Sequence, residues 1–377
     1  MTTHISDNSE FSASVLRWYD ENARALPWRS LPGEYADPYH VWLSEIMLQQ
    51  TTVVTVSSYF KKFLEKWPSV ENLANAPLDD VLTAWAGLGY YARARNLHKC
   101  AATVWHKYGG EFPNSEKELM ELPGIGPYTA AAIAAIAFAE PAVVIDGNIE
   151  RIISRVFRLQ EFLPKGREVL RDYAASVTPK LRAGDYAQAL MDMGSNVCRP
   201  KGPTCELCPV ARFCMAHAEG DETSFPKKAP KKIKPVKMAT VIWAENAKGE
   251  VLMRRRAEKG LLGGMMEFPS TQWDDISGFD DNGPEKLQAL LIELGLIDQP
   301  VNAVSLVKHT FTHFHLKLQP HVLAVEDNDI TPSNHFLWIH PSKFGEIALP
   351  TLMAKVAKIV KAEQGALPFS QVRDLVR

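Results

Sequence analysis

The sequence predicts a multidomain protein, an all-α domain followed by a smaller α+β domain. The chain has 377 residues, which is more than most single cores accommodate. Apolar residues recur at helical spacing up to about Glu219, and strand-like alternation begins only after a segment rich in proline and lysine. We therefore expect a helical domain over 1–224, a basic linker over 225–237 and an α+β domain over 238–377.

The overall composition is that of an ordinary globular protein and does not by itself indicate a function. Hydrophobic residues make up 46% of the chain, charged residues 23%, and the net charge is −2. On composition alone a small-molecule enzyme is therefore the simpler expectation. No apolar run approaches the roughly 20 residues of a membrane-spanning helix, and residues 1–10 lack the pattern of a signal peptide. We expect a monomeric cytoplasmic protein without membrane contact.

The helical domain contains one clearly amphipathic helix. Five apolar residues lie at positions i, i+3, i+4, i+7 and i+8 and predict one buried face: Ile149, Ile152, Ile153, Val156 and Phe157. Asp146 and Asn148 precede this face, and either side chain is suited to cap the helix.

Residues 122–130 read Leu-Pro-Gly-Ile-Gly-Pro-Tyr-Thr-Ala and predict a turn between two helices. Gly124 and Gly126 allow backbone geometry that is closed to other residues. The turn presents backbone N–H groups at the start of the second helix, where they can bind an anion such as phosphate. The alternative is that the turn only joins two helices.

A second candidate carboxylate, Glu45, lies in a predicted helix over 39–51. Asp37 is placed as its N-cap, and Pro38 occupies the first helical position. Glu45 stands between two apolar runs, 41–43 and 46–48. Burial would raise the pKa of its carboxyl group, and a carboxyl group that keeps its proton can act as a general acid. The alternative is a glutamate on a solvated stripe.

Four clustered cysteines predict a metal centre. Cys198, Cys205, Cys208 and Cys214 have the spacing C-x6-C-x2-C-x5-C, whereas Cys100 stands alone in a helical pattern as a small buried hydrophobe. Four thiolates can hold a [4Fe–4S] cluster or tetrahedral zinc, and the spacing alone does not choose between them.

The basic segment 225–237 contains three prolines and six lysines, so we expect an extended linker. After it, 238–243 and 250–255 flank a turn at 246–249 and predict a hairpin. Residues 306–318 and 321–325 are predicted as further strands, and a helix is predicted over 284–296.

These motifs, taken together, resemble the MutY and endonuclease III glycosylases of the helix-hairpin-helix superfamily. The cysteine loop, the hairpin at 122–130 and the segment Ser44-Glu-Ile-Met-Leu-Gln-Gln-Thr51 carry the resemblance. Residues from about Met238 resemble the Nudix-like C-terminal domain of the MutY family. The resemblance implies a [4Fe–4S] cluster at the four cysteines and double-stranded DNA as the partner.

The resemblance also assigns roles to residues near the hairpin. In the MutY family the residue at Glu45 protonates adenine, and the residue at Asp146 stabilises the oxocarbenium charge that develops on the sugar. Asn148 would form a hydrogen bond near the sugar or that carboxylate, and Tyr128 would sit against Asp146. Endonuclease III relatives carry a Schiff-base lysine where this chain has Tyr128, so the resemblance implies a monofunctional glycosylase without strong lyase activity.

Two further regions resemble family loops that contact damaged DNA. In Gly87-Leu-Gly-Tyr90, Leu88 and Tyr90 would wedge into the duplex, and Gln50 would support the opposite strand. For Leu88 and Tyr90 the alternative is core packing.

Phe311, Thr312 and His313 resemble the Phe-Ser-His loop that reads 8-oxoguanine, with threonine in place of serine. As a strand, this segment would place Phe311, His313 and His315 on one face. Zinc binding by His309, His313 and His315 is a weaker alternative.

The reaction implied is removal of adenine mispaired with 8-oxoguanine or guanine. Two rivals stand beside it: a lyase that removes oxidised pyrimidines, and a cluster-bearing damage sensor without enzymatic activity. The chain has no Nudix box, so a diphosphohydrolase is not expected.

Overall fold

The computed structural model describes residues 8–230, 233–257, 260–297, 299–325 and 336–364, with no side-chain placement for 277–282. The chain divides into two compact units. The first consists of Met1–Ala76 and Arg95–Lys231, and the second of Pro77–Ala94 and Lys232–Arg377. Within the described residues, no helix has the length and apolar character that crossing a membrane requires.

Helices form almost all regular structure up to residue 224. They are α1 (Asn8–Asn22), α2 (Pro38–Leu48), α3 (Val53–Lys66), α4 (Val70–Ala74), α5 (Leu78–Ala84), α6 (Ala92–Tyr108), α7 (Glu116–Leu119), α8 (Pro127–Phe138), α9 (Gly147–Val156), α10 (Arg167–Val177), α11 (Ala183–Asn196) and α12 (Met215–Ala218). Short 3-10 turns occupy Cys205–Leu207, Ala211–Phe213 and Glu222–Ser224. The predicted all-α domain is confirmed.

The core of the first unit is built around α11, which packs against α1, α8 and α9. The apolar face predicted for α9 is buried, with Ile149 and Ile153 fully inaccessible. Two glycines of α11 allow close packing. A Cβ on Gly184 would lie 2.5 Å from the backbone oxygen of Ala135 in α8, and one on Gly194 would lie 2.4 Å from the Cβ of Asn148.

The second unit contains one mixed sheet. Its strands are β1 (Val236–Asn246), β2 (Val251–Arg255), β3 (Met266–Glu267), β4 (Asp274–Asp275), β5 (Asn302–Ala303), β6 (Val307–Thr310), β7 (His315–Val325) and β8 (Phe336–Ile339). The order is β3-β2-β1-β7-β5, with β4 beside β1, β6 beside β7 and β8 beside β2. β1 and β7 run parallel, and β1 and β2 form the predicted antiparallel hairpin.

The sheet is covered by a helix on each face. Val241 and Trp243 of β1 face α14 (Thr351–Gln364), whereas Ile242 and Ala244 face α13 (Ile276–Leu294). Successive side chains of a strand point to opposite faces, so a strand buried on both sides reads as a continuous apolar run. The α+β class predicted for this half is confirmed.

One predicted strand is interrupted, and two predicted helices are confirmed with different bounds. The predicted strand 306–318 is broken, because Phe311 N–H bonds to Phe314 O at 2.9 Å and closes a turn between β6 and β7. Phe311, His313 and His315 therefore do not alternate along one strand. The helix predicted over 39–51 is α2, which ends at Leu48 because Gln49 leaves the helical conformation with a ψ of 109°. The predicted helix over 284–296 is α13, which begins earlier and ends before Gly295.

The first part of the basic segment 225–237 lies against the helical unit. Phe225 is buried, and Lys227 and Ala229 exchange backbone hydrogen bonds with Leu163. Residues 231 and 232 lie outside the described part of the chain. β1 begins at Val236.

The segment Pro77–Ala94 makes its contacts with the second unit, although it precedes most of the helical unit in the chain. These contacts include an ion pair of 2.8 Å between Asp79 and Arg255. The domain limits 1–224, 225–237 and 238–377 remain a proposal.

Candidate active site

Glu45 is a buried carboxylate in the middle of α2. Asp37 caps this helix by accepting hydrogen bonds from the backbone N–H groups of Tyr39 and His40, as predicted. Glu45 is only 6% exposed. Burial raises the pKa of its carboxyl group to about 7, against the opposing effect of a hydrogen bond from Tyr128. The negative charge of Asp146 raises this pKa further, and the cation of Arg29 lowers it.

Tyr128 lies at the start of α8, directly after the glycine turn. Its hydroxyl donates to Oε2 of Glu45 at 2.7 Å. Tyr128 lines the same cavity as Asp146, the residue against which it is predicted to sit, but its hydrogen bond goes to Glu45. Burial holds the pKa of Tyr128 well above its usual value, so the phenol stays neutral and acts as a donor.

Asp146 is the N-cap of α9 and accepts three hydrogen bonds. Its Oδ1 accepts from the backbone N–H groups of Asn148 and Ile149 at 2.9 and 2.7 Å, and its Oδ2 accepts from Asn148 Nδ2 at 2.9 Å. Burial raises the pKa of Asp146, and these bonds oppose that shift. The carboxylate is thus fixed in one orientation at the positive end of a helix.

Arg151 connects this carboxylate to the cysteine loop. It donates to Asn148 Oδ1 at 3.0 Å, to Gly194 O at 2.6 Å and to Cys198 O at 2.7 Å. Asn148, as predicted, bonds to the candidate carboxylate, and Arg151 in turn fixes the Asn148 amide.

The two carboxylates line one cavity of about 740 Å³, a size typical of small-molecule pockets. Arg29 and Gln188 also line it. Arg29 is held by Asp192, which is fully buried and accepts at 2.7 Å. The cavity therefore holds a carboxyl group that can carry a proton near neutral pH and a second, oriented carboxylate.

The four predicted cysteine ligands lie around a second, much smaller cavity. Arg155, which is 1% exposed, donates to Cys198 Sγ at 3.2 Å and to the carbonyl oxygens of Arg199 and Pro200. Burial raises the pKa of the Cys208 thiol to about 12. Cys100 is fully buried in α6, as expected.

Comparison with known proteins identifies the family. Residues 43–179 match the HhH-GPD superfamily of base excision DNA repair proteins, and residues 240–358 match the NUDIX domain. The chain is 35% identical to an adenine DNA glycosylase of Homo sapiens, over 96% of this chain and 76% of that protein. It is 31% identical to an adenine DNA glycosylase of Buchnera aphidicola, over 93% of this chain and 97% of that protein.

The chain belongs to the adenine DNA glycosylase family. It is a DNA glycosylase of base excision repair, and the resemblance to the MutY family is confirmed. Among solved structures, that of a thermostable thymine-DNA glycosylase superposes with a TM-score of 0.51 at 30% identity, covering 56% of this chain and 97% of that one.

Several residues predicted to contact DNA lie on exposed turns of the glycosylase. Gly124 has a φ of 78°, and a Cβ there would lie 2.6 Å from the Cβ of Asn96, so the turn requires glycine. Gly126 is the N-cap of α8 and has open space around it. Gln50 is exposed and has a left-handed backbone.

Leu88 and Tyr90 differ in exposure. Leu88 is 5% exposed, which favours the core-packing alternative, whereas Tyr90 is 49% exposed. Tyr90 also has a positive φ of 48°, next to two positive-φ glycines, Gly87 and Gly89. The turn thus leaves the Tyr90 ring half-exposed and Leu88 buried.

Thr312 and His313 are exposed at the tip of the turn 311–314, and Phe311 is partly buried. The Thr312 hydroxyl lies 3.1 Å from the hydroxyl of Tyr90, and both residues belong to the second unit. The sequence had indicated these two residues separately, and the structure brings them together.

Sequence reasoning missed Arg29, Arg151, Gln188 and Asp192. Arg151 lies on α9, and two of its partners, the carbonyl oxygens of Cys198 and Gly194, are more than 40 residues away in the chain. No local pattern marks such a residue. A buried arginine is recognisable only from the acceptors that the fold supplies.

Proposed function

We propose that this glycosylase hydrolyses the N-glycosidic bond of adenine mispaired with 8-oxoguanine or guanine in duplex DNA. The observation that carries the proposal is the buried Glu45, whose pKa is raised to about 7, in one cavity with the oriented carboxylate of Asp146. A general acid is most effective when its pKa lies near the working pH. We propose that the enzyme acts in the cytoplasm, at the nucleoid, where its duplex DNA substrate lies.

The first step is departure of the base. An adenine extruded from the duplex enters the cavity, and the protonated Glu45 gives its proton to a ring nitrogen of the base. The bond between the base and C1′ then breaks, and both electrons leave with the base. Tyr128 holds the Glu45 carboxyl group in position through its 2.7 Å bond.

The second step is capture of the sugar cation. Charge develops at C1′ as the bond breaks, and a fixed carboxylate beside it stabilises that charge. Asp146 is suited to this role because three hydrogen bonds orient it. Water then adds to C1′, and the Glu45 carboxylate takes up the released proton, which restores the starting enzyme.

The proposed reaction produces an abasic site without cutting the strand. A lyase step needs an amine that forms a Schiff base with the sugar. Tyr128 occupies the position of the endonuclease III lysine and offers a neutral phenol to Glu45. Trapping with borohydride separates the two reactions: a lyase would yield a covalent protein–DNA adduct.

We propose a [4Fe–4S] cluster as the occupant of the cysteine loop. All four cysteines line one cavity, where Arg155 donates to Cys198 Sγ at 3.2 Å. Four thiolates around one site can each bind one iron of such a cluster. Metal analysis distinguishes the cluster from tetrahedral zinc, which four thiolates can also hold.

We further propose that the turn 122–130 binds a backbone phosphate and that two exposed loops contact the mispair. In the turn, backbone N–H groups at the start of α8 are free of a side-chain cap. Tyr90 would wedge into the duplex, with Leu88 packed behind it, and Gln50 would support the opposite strand. Phe311, Thr312 and His313 would read 8-oxoguanine.

The test is a cleavage assay on duplexes with adenine opposite 8-oxoguanine, followed by alkali to reveal abasic sites. Wild type should yield breaks on the adenine strand only after alkali, and Glu45→Gln should abolish them. Glu65→Gln, an exposed glutamate of α3, is the matched control. Failure of protein with a full iron complement to release adenine would overturn the proposal and favour a damage sensor.

A further inference from the structure

The turn 311–314 rests on an aromatic side chain from another part of the second unit. Trp273, which lies between β3 and β4, stacks on Phe311 with ring centroids 5.5 Å apart and an interplanar angle of 28°. It also meets the Phe314 ring edge-on, at 6.2 Å and 60°. Phe311 and Phe314 are themselves 4.9 Å apart. Trp273 therefore supports both aromatic residues of the turn.

The ring of Trp273 is itself held in place by a cation, the guanidinium of Arg256. The guanidinium of Arg256 lies over its ring, 5.1 Å from the centroid. Arg256 forms an ion pair with Glu267, a carboxylate that is 2% exposed, and donates to Leu261 O at 3.2 Å. Arg254 donates to the same carboxylate at 2.8 Å. A buried carboxylate with two arginines fixes the position of the cation and, through it, of the indole ring.

Two lysines of the basic segment, Lys234 and Lys237, bind the same group of aromatic residues. Lys234 Nζ donates to Phe311 O at 3.0 Å. Lys237 Nζ lies 5.6 Å from the Phe314 ring centroid and donates to Trp273 O at 3.4 Å. The turn is thus held through its rings and through its backbone, and only Thr312 and His313 at its tip are exposed.

We propose that Trp273 is a positioning residue that sets the selectivity for 8-oxoguanine over guanine. This inference rests on the proposed function, in which the tip of the turn reads the lesion. The two bases differ by an oxygen at C8 and a hydrogen at N7. Telling them apart requires hydrogen-bonding groups held in a defined place, because a mobile hydroxyl adapts to either base. Trp273 touches no substrate and acts through Phe311 and Phe314.

The experiment compares adenine release under single-turnover conditions from A·8-oxoguanine and A·guanine duplexes. Trp273→Leu should lower the ratio of the two rates about fivefold, the size expected for loss of an aromatic pair, and leave the A·guanine rate unchanged. Trp273→Phe keeps a stacking ring and should restore the ratio. Arg256→Lys keeps the charge beside Glu267 but removes the planar cation, so the ratio should fall in the same direction.

The matched control is Trp338→Leu. Trp338 is also a partly buried tryptophan of the second unit, but it packs on the opposite sheet face, against the cluster of Ile242 and Leu252. It should cost similar stability, which melting temperatures will show, and should leave the ratio unchanged.

Three outcomes would overturn the inference, and they are distinguishable. If wild type prefers A·8-oxoguanine and Trp273→Leu keeps that preference, Trp273 has no positioning role and the proposed function stands. If Trp338→Leu lowers the ratio equally, the effect is general instability. If wild type shows equal rates on both duplexes, the reading of 8-oxoguanine fails and this inference fails with it.

Discussion

Arg151 joins Asn148 to the cysteine loop: its guanidinium lies 3.0 Å from Asn148 Oδ1 and 2.7 Å from the carbonyl oxygen of Cys198. Asn148 in turn bonds to Asp146 at 2.9 Å. The orientation of the proposed catalytic carboxylate therefore depends on the loop that carries the first of the four cysteines. The planar guanidinium meets several acceptors in fixed directions, which an ammonium group cannot do.

Replacing Arg151 by lysine tests this dependence. A lysine keeps the charge but cannot bond Asn148, Gly194 and Cys198 together, so Asp146 loses its fixed orientation. We expect adenine release to slow by about tenfold, as for loss of one charged hydrogen bond. Single-turnover rates measure this, and Arg171→Lys, a half-exposed arginine of α10, is the control. An unchanged rate for Arg151→Lys would contradict the proposed linkage.

Tyr128→Phe should shift the pH dependence of the reaction. The hydrogen bond from Tyr128 lowers the pKa of Glu45, so its removal raises that pKa above about 7. As a general acid Glu45 is active when protonated, so kcat/KM falls above its pKa, and in the variant this fall should move to higher pH. Tyr173→Phe, which keeps its stacking on Phe157, should not move it. A shift to lower pH would contradict the assignment of Glu45.

Glu45→Gln should stabilise the protein in a pH-dependent manner. The folded pKa of Glu45, about 7, lies above its ordinary value of 4.5, so the folded state binds the proton more tightly and loses stability as the pH rises from 4.5 to 7. The neutral glutamine escapes this loss, which amounts to about 3 kcal/mol. Free energies of unfolding should differ at pH 8 and converge below pH 4.5. Equal stability at both pH values would show that Glu45 ionises freely.

Gly194→Ala should disrupt the contact between α11 and α9. The new Cβ would lie 2.4 Å from the Cβ of Asn148 and 3.2 Å from its Cα, so the backbone must move. We expect a loss of about 1–3 kcal/mol in stability, as for overpacked cores, and slower adenine release. Chemical denaturation measures the first, and Gly345→Ala, with open space around it, should be neutral. A stable and fully active Gly194→Ala would mean that the two helices can separate freely.

Serine substitutions should distinguish the four proposed cluster ligands from Cys100 by their effect on the bound iron. Serine at Cys198, Cys205, Cys208 or Cys214 should lower the bound iron per chain, because each thiolate is proposed to bind one iron. Cys100→Ser should keep the full iron content, since Cys100 is buried in α6. Iron and zinc analysis of the purified proteins decides the metal, and zinc without iron in the wild type would refute the cluster.

Some features of this protein follow from short stretches of sequence. Asp37-Pro38 indicated a helix start, and the 3.6-residue spacing of Ile149, Ile152 and Val156 indicated a buried face. The burial of Glu45 followed from its apolar neighbours along the helix. Such features depend on residues within one or two turns of each other, so the sequence displays them directly.

Local sequence patterns predicted the wrong conformation where tertiary contacts close a turn or end a helix. Residues 311–314 alternate like a strand, yet the bond from Phe311 to Phe314 and the packing of both rings on Trp273 close a turn there. In the same way, α2 stops at Leu48 although the residues that follow favour helix.

By itself the sequence determined the two kinds of fold, the order of the motifs, the two carboxylates and the four cysteines. Only the tertiary structure decided that Tyr128 donates to Glu45, that Arg151 joins Asn148 to Cys198, and that Trp273 supports the turn at Phe311. The physical reason is the range of the interactions. Periodicity and capping act between neighbours in the chain, whereas the partners of a buried polar or aromatic group are chosen by packing among distant segments.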